Sequence, residues 1–279
     1  MLPWASNTSD MSPRADGRGH FRGEYAADVV MCLSVTSVPA PRAEVEVAKM
    51  KTVLLIGFEP FGREKVNPSW LAARQLNGRT IRGHRILARC LPTTYQGSLA
   101  RLRRYLRNVR PALVICVGQA AGRAEVSIER VAINVDDSRI PDNAGKKPAD
   151  LPVVPGGPVA YWSTLPIKTI VRVLRRSGIP AALSQSAGTF VCNHVFYGLM
   201  HALAEGADQT KGGFIHVPLL PDQVVRRSRG RPQTAALPHK RSKPDPPSLP
   251  LATIVDALAV AVRESLRTAA RIRRKRKSE

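Results

Sequence analysis

The sequence predicts an α/β domain with a mostly parallel central sheet. Short apolar runs that suit buried strands alternate with amphipathic segments of helical length over the central part of this 279-residue chain. These apolar runs, such as "TVLLIGF" and "ALVICVG", are too short to cross a lipid bilayer. We therefore expect one sizeable buried core and no integral membrane protein.

The alternation begins immediately after Met50. "KTVLLIGF" predicts a buried strand, and "PSWLAARQLNG" predicts a helix that ends at Gly78. "HRILARCLP" predicts the next strand, "TYQGSLARLRRYLRNVRP" an amphipathic helix closed by proline, and "ALVICVGQ" a central strand. Because parallel strands need long crossover connections, this order favours a parallel sheet.

The second half continues the pattern. "VSIERVAINVDD" shows strand-like alternation, and it is followed by a helix in "PIKTIVRVLRRSG" and a strand in "PAALSQSAG". "NHVFYGLMHALAEG" then predicts a helix, "GGFIHVPLL" a strand, and "LATIVDALAVAVRESLRTAARIRRK" the final helix. In sheets of this kind, functional sites form at the carboxyl ends of the strands.

Composition divides the chain into four regions. Residues 1–49 lack a periodic pattern and predict a disordered leader, so that translation could start at Met1 or at Met50. Residues 50–225 form the predicted α/β domain, 226–250 a flexible basic insert rich in Pro and Arg, and 251–279 a helix with a basic tail.

The positive charge is concentrated near the C-terminus. The formal net charge is +22, and residues 226–279 contain 15 Lys and Arg against 4 Asp and Glu. Such runs can neutralise phosphates, but no RNA-binding signature, zinc-finger spacing or stacking platform accompanies them. A solvated insert and tail is the preferred interpretation, while the basic tail leaves nucleic-acid binding open.

The four cysteines, Cys32, Cys90, Cys116 and Cys192, contain no CxxC spacing. We expect neither a disulfide framework nor a structural zinc site, and a reducing compartment is the default. Cys90 and Cys116 lie inside strand-like runs and are expected in the core. No metal or phosphate-loop motif is present in the sequence, so no cofactor is predicted.

Cys192 stands between the strand-like "GTFV" and a helical pattern. A thiol there can have its thiolate stabilised by unpaired N–H groups and the helix dipole, and the same groups can hold an oxyanion. The local pattern leaves two alternatives open, a core cysteine and a nucleophile. His194 is only two residues away, so its side chain points to another side of the helix.

A cysteine nucleophile needs a base and a group that orients the base. His216, which ends the predicted strand "GGFIH", is the best candidate for the base. Glu129 in "SIERVAIN" is either paired with Arg123 or Arg130 as a structural ion pair, or it accepts the ring N–H of the histidine.

Phe58 and Phe61 lie three residues apart in "GFEPFG", just beyond the first predicted strand. They are either loop-anchoring core residues or the wall of a small apolar pocket.

Several sequence blocks between about residue 52 and 225 occur together in one order: "VLLIGFEPFG", "NPSW", "VICVGQAAGR", "IERVAIN", "SRIPDN", "GGPVAYWSTLPI", "GIPAALSQSAGTFVCNHVFYGLM" and "GGFIHVPLLPDQ". In that order they resemble the type I pyroglutamyl peptidases, also called pyrrolidone-carboxylate peptidases. The resemblance implies a three-layer α/β/α sandwich and a cytoplasmic, metal-free cysteine exopeptidase. Its substrates would be peptides with an N-terminal pyroglutamate, and its assembly a homo-oligomer, often a tetramer.

The resemblance also implies roles for individual residues. Cys192 matches the nucleophile, His216 the base and Glu129 the third member of the triad, while Arg139 would assist the oxyanion. The substrate pocket implied by the resemblance contains Phe58, Phe61, Asn67, Gln119, Ile140, Phe190 and Val191.

Two departures from the family pattern stand out. Arg63 occupies a position where the family usually reads glycine, and a positive φ there would cost an arginine ~1 kcal/mol or more. The leader and the basic insert have no counterpart in the family pattern. The alternative function is therefore a catalytically silent homologue that binds partners through its basic C-terminal region.

Overall fold

The computed structural model describes residues 50–62, 64–206, 209–229 and 245–275. The predicted leader at 1–49, residues 230–244 of the predicted insert, and Arg63 lie outside the described residues.

Seven strands of the described chain form one sheet in the order β2-β3-β1-β4-β9-β5-β8. Two further strands, β6 and β7, form a small antiparallel sheet. The strands are β1 (Lys51–Phe58), β2 (Thr80–Ile81), β3 (His84–Leu91), β4 (Leu113–Gln119), β5 (Val126–Glu129), β6 (Val131–Ile133), β7 (Ala160–Trp162), β8 (Ala181–Ser184) and β9 (Lys211–Val217). The central pairs of β1 with β3 and β4, and of β4 with β9, are parallel.

The helices cover both faces of this sheet. They are α1 (Pro68–Gln75), α2 (Tyr95–Val109), α3 (Ile167–Arg176), α4 (Val191–Glu205), α5 (Pro221–Arg229) and α6 (Leu251–Lys275). One core lies between the sheet and α1, α3 and α6, and the other lies between the sheet and α2 and α4. The predicted α/β fold, a three-layer sandwich with a mostly parallel sheet, is confirmed.

The unbroken apolar run of β1 follows from this arrangement. Val53 and Leu55 face the core that contains α1, α3 and α6, whereas Leu54 and Ile56 face the core that contains α2 and α4. All four side chains are fully buried. A strand covered on both faces needs apolar residues at every position, because successive side chains point to opposite faces.

Several parts of the chain differ from the sequence-based expectation, among them the short strands β2 and β7, which were not predicted. The alternating "VSIERVAINVDD" does not form one strand, because the chain leaves the main sheet at Arg130. β5 stays in the main sheet, antiparallel to β9, while β6 pairs with β7. In addition, "PDQVVRRSR" forms helix α5, which crosses the boundary predicted at residue 226.

No helix in the described ranges is both long enough and apolar enough to cross a membrane.

Candidate active site

The thiol of Cys192 lies against the backbone of Gly118. Cys192 is the second residue of α4, and a Cβ atom built on Gly118 would lie 2.8 Å from its Sγ. Gly118 is paired with His216 in the β4–β9 register. Because neighbouring strands are about 4.8 Å apart, the sulfur and the imidazole come together at the carboxyl ends of these two strands.

His216 is held by Glu129. The Nδ1 atom of His216 lies 2.7 Å from Oε1 of Glu129, and both residues are buried. A carboxylate can only accept, so the proton is on Nδ1 and Nε2 is left as the basic nitrogen. This is the tautomer that a general base for the thiol requires.

Glu129 also pairs with Arg123. The Nη1 atom of Arg123 lies 2.7 Å from the same Oε1, and its Nη2 donates to the carbonyl oxygen of Ser186 at 3.1 Å. The two alternatives that the sequence left open for Glu129 therefore occur together. Arg123, and not Arg130, is the ion-pair partner.

The charges around Glu129 keep its carboxyl ionised. Burial alone would raise the pKa of Glu129, but the hydrogen bond and charge of His216, with smaller contributions from Ser184 and Arg123, lower it below its ordinary value. The carboxylate is therefore present over the neutral pH range.

The Cys192 thiol and the His216 imidazole are both neutral in the free protein. Burial, helped by the charge of Glu129 and opposed by Arg123, raises the pKa of the Cys192 thiol to about 12. Burial, helped by Arg123 and opposed by Glu129, lowers the pKa of His216. Sequence reasoning allowed a thiolate stabilised by the helix N-terminus, whereas the raised pKa keeps Cys192 as a thiol in the free state.

The first turn of α4 offers hydrogen-bond donors beside the sulfur. The helical ladder starts with the N–H of His194, which donates to the carbonyl oxygen of Phe190. Within the described chain, the N–H groups of Val191, Cys192 and Asn193 have no acceptor, and no side chain caps the helix. Such groups can receive a developing oxyanion.

Asn193 fastens the segment after β6 to this turn. Its side chain is fully buried, accepts from the N–H of Ile133 at 3.1 Å and donates to the carbonyl oxygens of Ile133 and Val135 at 2.9 and 3.0 Å. This residue did not emerge from sequence reasoning. A buried polar residue directly after the cysteine, on an otherwise apolar helix, was the available signal.

His194, on another side of α4, also binds the segment after β6 to this helix. Its Nδ1 lies 2.7 Å from Oδ2 of Asp136, and both side chains are buried. One residue further, Thr189 Oγ1 donates to the carbonyl oxygen of Asp137 at 2.6 Å. The following residues, Arg139 and Ile140, are exposed on this anchored segment.

The predicted aromatic pocket residues divide into two groups. Phe61 and Phe190 are half-buried, with ring centroids 5.1 Å apart, and Tyr95, which sequence reasoning missed, packs edge-on against Phe190. Phe58 is buried behind them against Phe214. Val191 is fully buried. Phe61 and Phe190 thus form the accessible aromatic wall.

The two predicted amides have partners within the protein. Asn67 caps α1 by accepting from the N–H of Ser69 at 3.1 Å, and it donates to the carbonyl oxygen of Glu59 at 3.0 Å. Gln119 accepts from Nε2 of Gln223 at 3.0 Å. Their roles in substrate binding stay predictions.

No group of three or more His, Cys, Asp or Glu side chains suited to a metal ion occurs among the residues described.

Comparison with known proteins identifies the relatives of this chain. A sequence model of the pyroglutamyl peptidase family matches residues 51–268. The pyrrolidone-carboxylate peptidase of Bacillus cytotoxicus is 56% identical over 175 residues, which cover 63% of this chain and 81% of that protein.

Comparison with solved structures identifies the same family. The crystal structure of pyroglutamyl peptidase I from Bacillus amyloliquefaciens matches with a TM-score of 0.68 and 46% identity, covering 77% of this chain and 96% of that one. A mutant pyrrolidone carboxyl peptidase from Pyrococcus furiosus gives a TM-score of 0.71 and 41% identity, covering 78% and 99%. The resemblance read from the sequence is confirmed.

Proposed function

The chain belongs to the pyroglutamyl peptidase family, and on that premise we propose that it is a cysteine exopeptidase that hydrolyses the amide bond after an N-terminal pyroglutamyl residue. The observation that carries this proposal is the arrangement of three side chains. The sulfur of Cys192 lies against Gly118, the strand partner of His216, and His216 is hydrogen-bonded to Glu129.

The first step is attack by sulfur on the carbonyl carbon of the pyroglutamyl residue. As the S–C bond forms, the thiol proton of Cys192 moves to Nε2 of His216. The resulting imidazolium is stabilised by the buried carboxylate of Glu129 at 2.7 Å. Proton transfer accompanies attack, since the thiol and the imidazole are neutral in the free state.

The oxyanion of the tetrahedral intermediate is held at the first turn of α4. The N–H groups of Cys192 and its neighbours are the donors, and their dipoles already point to the place where negative charge develops. Arg139, exposed on the segment that Asp137 and Thr189 anchor, is proposed to assist from the solvent side.

Collapse of the intermediate releases the shortened peptide. His216 gives its proton to the leaving nitrogen, the C–N bond breaks, and a pyroglutamyl thioester remains on Cys192. Water then attacks the thioester carbonyl while His216 accepts one of its protons. Breaking the C–S bond returns that proton to sulfur and releases pyroglutamate.

The lactam ring is proposed to lie on the aromatic wall of Phe61 and Phe190. A neutral five-membered lactam suits this wall, because no charged group has to be desolvated there. Asn67 and Gln119 would supply polar contacts, and Phe58, Ile140 and Val191 would complete the predicted pocket.

The test is release of a fluorescent amine from its pyroglutamyl amide, with the alanyl amide as the comparison substrate. We expect turnover of the pyroglutamyl amide alone, and its loss in Cys192→Ser. A folded, reduced protein that turns over neither amide would overturn the proposal.

The basic C-terminal region, the homo-oligomer and the cytoplasmic location stay predictions. Deleting residues 230–244, which join α5 to the segment before α6, separates the alternative function from the peptidase. Retention on nucleic acid that disappears in this deletion would support a binding role, and unchanged peptidase activity would separate the two functions.

A further inference from the structure

A cavity of about 500 Å³ opens beside the candidate active site. We call it the loop–α5 cavity. Its walls are the loop after β1, the end of β4 and the outer part of α5, through Phe61, Glu64, Lys65, Gln119, Arg226 and Arg227. Cavities of about 300–1,000 Å³ hold ligands of drug size, so this one exceeds what a single five-membered lactam fills.

The loop–α5 cavity is joined to the candidate active site through Phe61. Phe61 contacts Phe190, the N-cap residue of the helix that carries Cys192. Gln119, another lining residue, directly follows Gly118, against which the sulfur lies, but its side chain leaves the other face of β4 and contacts Gln223 of α5. The contact of Phe61 with the N-cap residue of α4 is therefore the observation that places the cavity beside the nucleophile.

The wall formed by α5 is rigidly attached to the loop. Gln223 is fully buried, and its Nε2 donates to Glu64 at 2.7 Å and to Gln119 at 3.0 Å. Its Oε1 accepts from the N–H of Leu220 at 3.0 Å. The charged side chains of α5 are therefore presented from a fixed backbone.

Positive charges exceed negative charges among the described residues of the cavity wall. Glu64 accepts from Nε of Arg227 at 2.6 Å, so these two charges compensate each other. Lys65 and Arg226 are exposed, and neither has a carboxylate partner among the described residues. Among the described residues of the cavity wall, Lys65 and Arg226 are thus the cations without a carboxylate partner.

We propose that the loop–α5 cavity receives the residue that follows pyroglutamate, and that Lys65 and Arg226 favour a carboxylate on that residue. The inference rests on the proposed peptidase function. The carboxylate can be an acidic side chain or the free C-terminus of a short substrate, because both present the same group to the two cations. Lys65 and Arg226 are specificity-determining residues in this scheme, and they take no part in the bond-breaking steps.

The first test compares substrates of matched shape on the wild-type enzyme. Pyroglutamyl-glutamate amide and pyroglutamyl-glutamine amide differ in charge but hardly in size. We expect kcat/KM to favour the glutamate substrate about five- to tenfold at low ionic strength, and the preference to shrink in 0.5 M salt. Pyroglutamyl-lysine amide should be the poorest of the three.

A second pair of substrates separates the two sources of the carboxylate. Pyroglutamyl-alanine is compared with its C-terminal amide. Preference for the free acid, with no preference for glutamate over glutamine, would restrict the site to a terminal carboxylate. A preference for glutamate over glutamine, with no preference for the free acid, would show that the cavity binds an acidic side chain. Equal kcat/KM within both pairs would overturn the inference.

Charge reversal then tests the two cations. In Lys65→Glu, in Arg226→Glu and in the double variant, we expect the glutamate-to-glutamine ratio to fall, to below one in the double variant. The ratio is measured on one preparation, so a partly unfolded sample does not change it. Lys168→Glu on α3 makes the same charge change outside the cavity, and it should keep the wild-type ratio.

The outcomes distinguish the two proposals. If the fluorescent pyroglutamyl amide, whose leaving amine is neutral, is not hydrolysed, then the peptidase function itself fails. If that amide is hydrolysed but the glutamate and glutamine substrates react equally, only the cavity inference fails. An equal fall of the ratio in Lys168→Glu would assign the effect to the net charge of the protein and overturn the role of Lys65 and Arg226.

Discussion

The sulfur of Cys192 lies so close to the backbone of Gly118 that a methyl group at position 118 would come within 2.8 Å of it. The same methyl group would lie 2.9 Å from Cζ of Phe214. Both distances are shorter than a normal contact, so any side chain on this residue must displace the thiol, the ring or both.

Gly118→Ala is therefore expected to lower kcat/KM for a pyroglutamyl amide by about 100-fold, since a displacement of about 1 Å at a nucleophile costs that much. Overpacking should also lower the free energy of unfolding by about 1–3 kcal/mol. Steady-state kinetics and urea unfolding measure the two effects.

Gly57→Ala is the matched control for overpacking. A methyl group there would come within 2.6 Å of the backbone of Trp70, away from the thiol. It should destabilise the protein while sparing kcat/KM in the fraction that folds. A folded Gly118→Ala variant with wild-type kinetics would contradict the placement of the sulfur.

The second prediction concerns the ionisation of the thiol. With a pKa raised to about 12, Cys192 is neutral across the physiological range. The rate of alkylation by iodoacetamide at this residue should rise about tenfold per pH unit from pH 7 to 10 without a plateau. Mass spectrometry of the peptide that contains Cys192 follows the reaction, and Cys192→Ser gives the background. A fast, pH-independent rate near pH 6 would instead indicate a preformed thiolate–imidazolium pair.

The third prediction concerns the acid limb of the pH profile. Catalysis needs neutral His216, and its pKa is lowered from 6.5, so kcat/KM should remain high below pH 6.5 and fall only as the imidazole becomes protonated. Arg123 is one cause of the lowering. Arg123→Met should therefore move the acid limb to higher pH.

Arg123→Lys retains the positive charge and is the control for that variant. Its acid limb should stay close to that of the wild type, even if the hydrogen bond to Ser186 is lost. Identical pH profiles for Arg123→Met and the wild type would show that the Arg123 charge does not reach the imidazole.

The fourth prediction concerns the anchored segment after β6. Asn193→Ala leaves the N–H of Ile133 and two carbonyl oxygens without their side-chain partner in a partly buried place. Unsatisfied buried groups cost about 1–3 kcal/mol each, and we expect a loss of about 2–4 kcal/mol in the free energy of unfolding. Chemical denaturation measures it.

Asn193→Asp retains an acceptor for the N–H of Ile133 but loses both donated bonds. It should therefore also destabilise the protein. A loss below about 0.5 kcal/mol in Asn193→Ala would mean that water replaces the amide and that the segment is not fastened by this residue.

The sequence was sufficient for most of the strands and helices because these elements are encoded locally, whereas β2, β7 and α5 were not predicted. The apolar run at 52–58 and the amphipathic pattern at 95–109 each reflect burial against neighbouring layers. Cys192 and His216 became candidates because they stand at ends of elements, where an α/β sheet collects its functional groups, but the choice of Cys192 as nucleophile came from the family resemblance.

The tertiary contacts around the candidate site could not be predicted from the local sequence pattern. Asn193 and His194 bond to residues about 60 positions earlier in the chain, and no local pattern encodes such a pairing. Helix α5 is short and polar, and its place depends on Gln223 reaching the loop after β1. Both features depend on tertiary contacts, which periodicity does not record.

Helix α6 follows all the other elements in the described part of the chain, yet Ile254, Leu258 and Val262 are fully buried in the core that also contains α1 and α3. During synthesis, the part of the sheet face that receives α6 therefore stays uncovered until residues 251–275 have been made. A nascent chain that stops before residue 251 would expose this apolar face to chaperones and proteases. Quality control in the cell can thus recognise a chain that lacks α6 by the apolar surface that this helix covers in the folded protein.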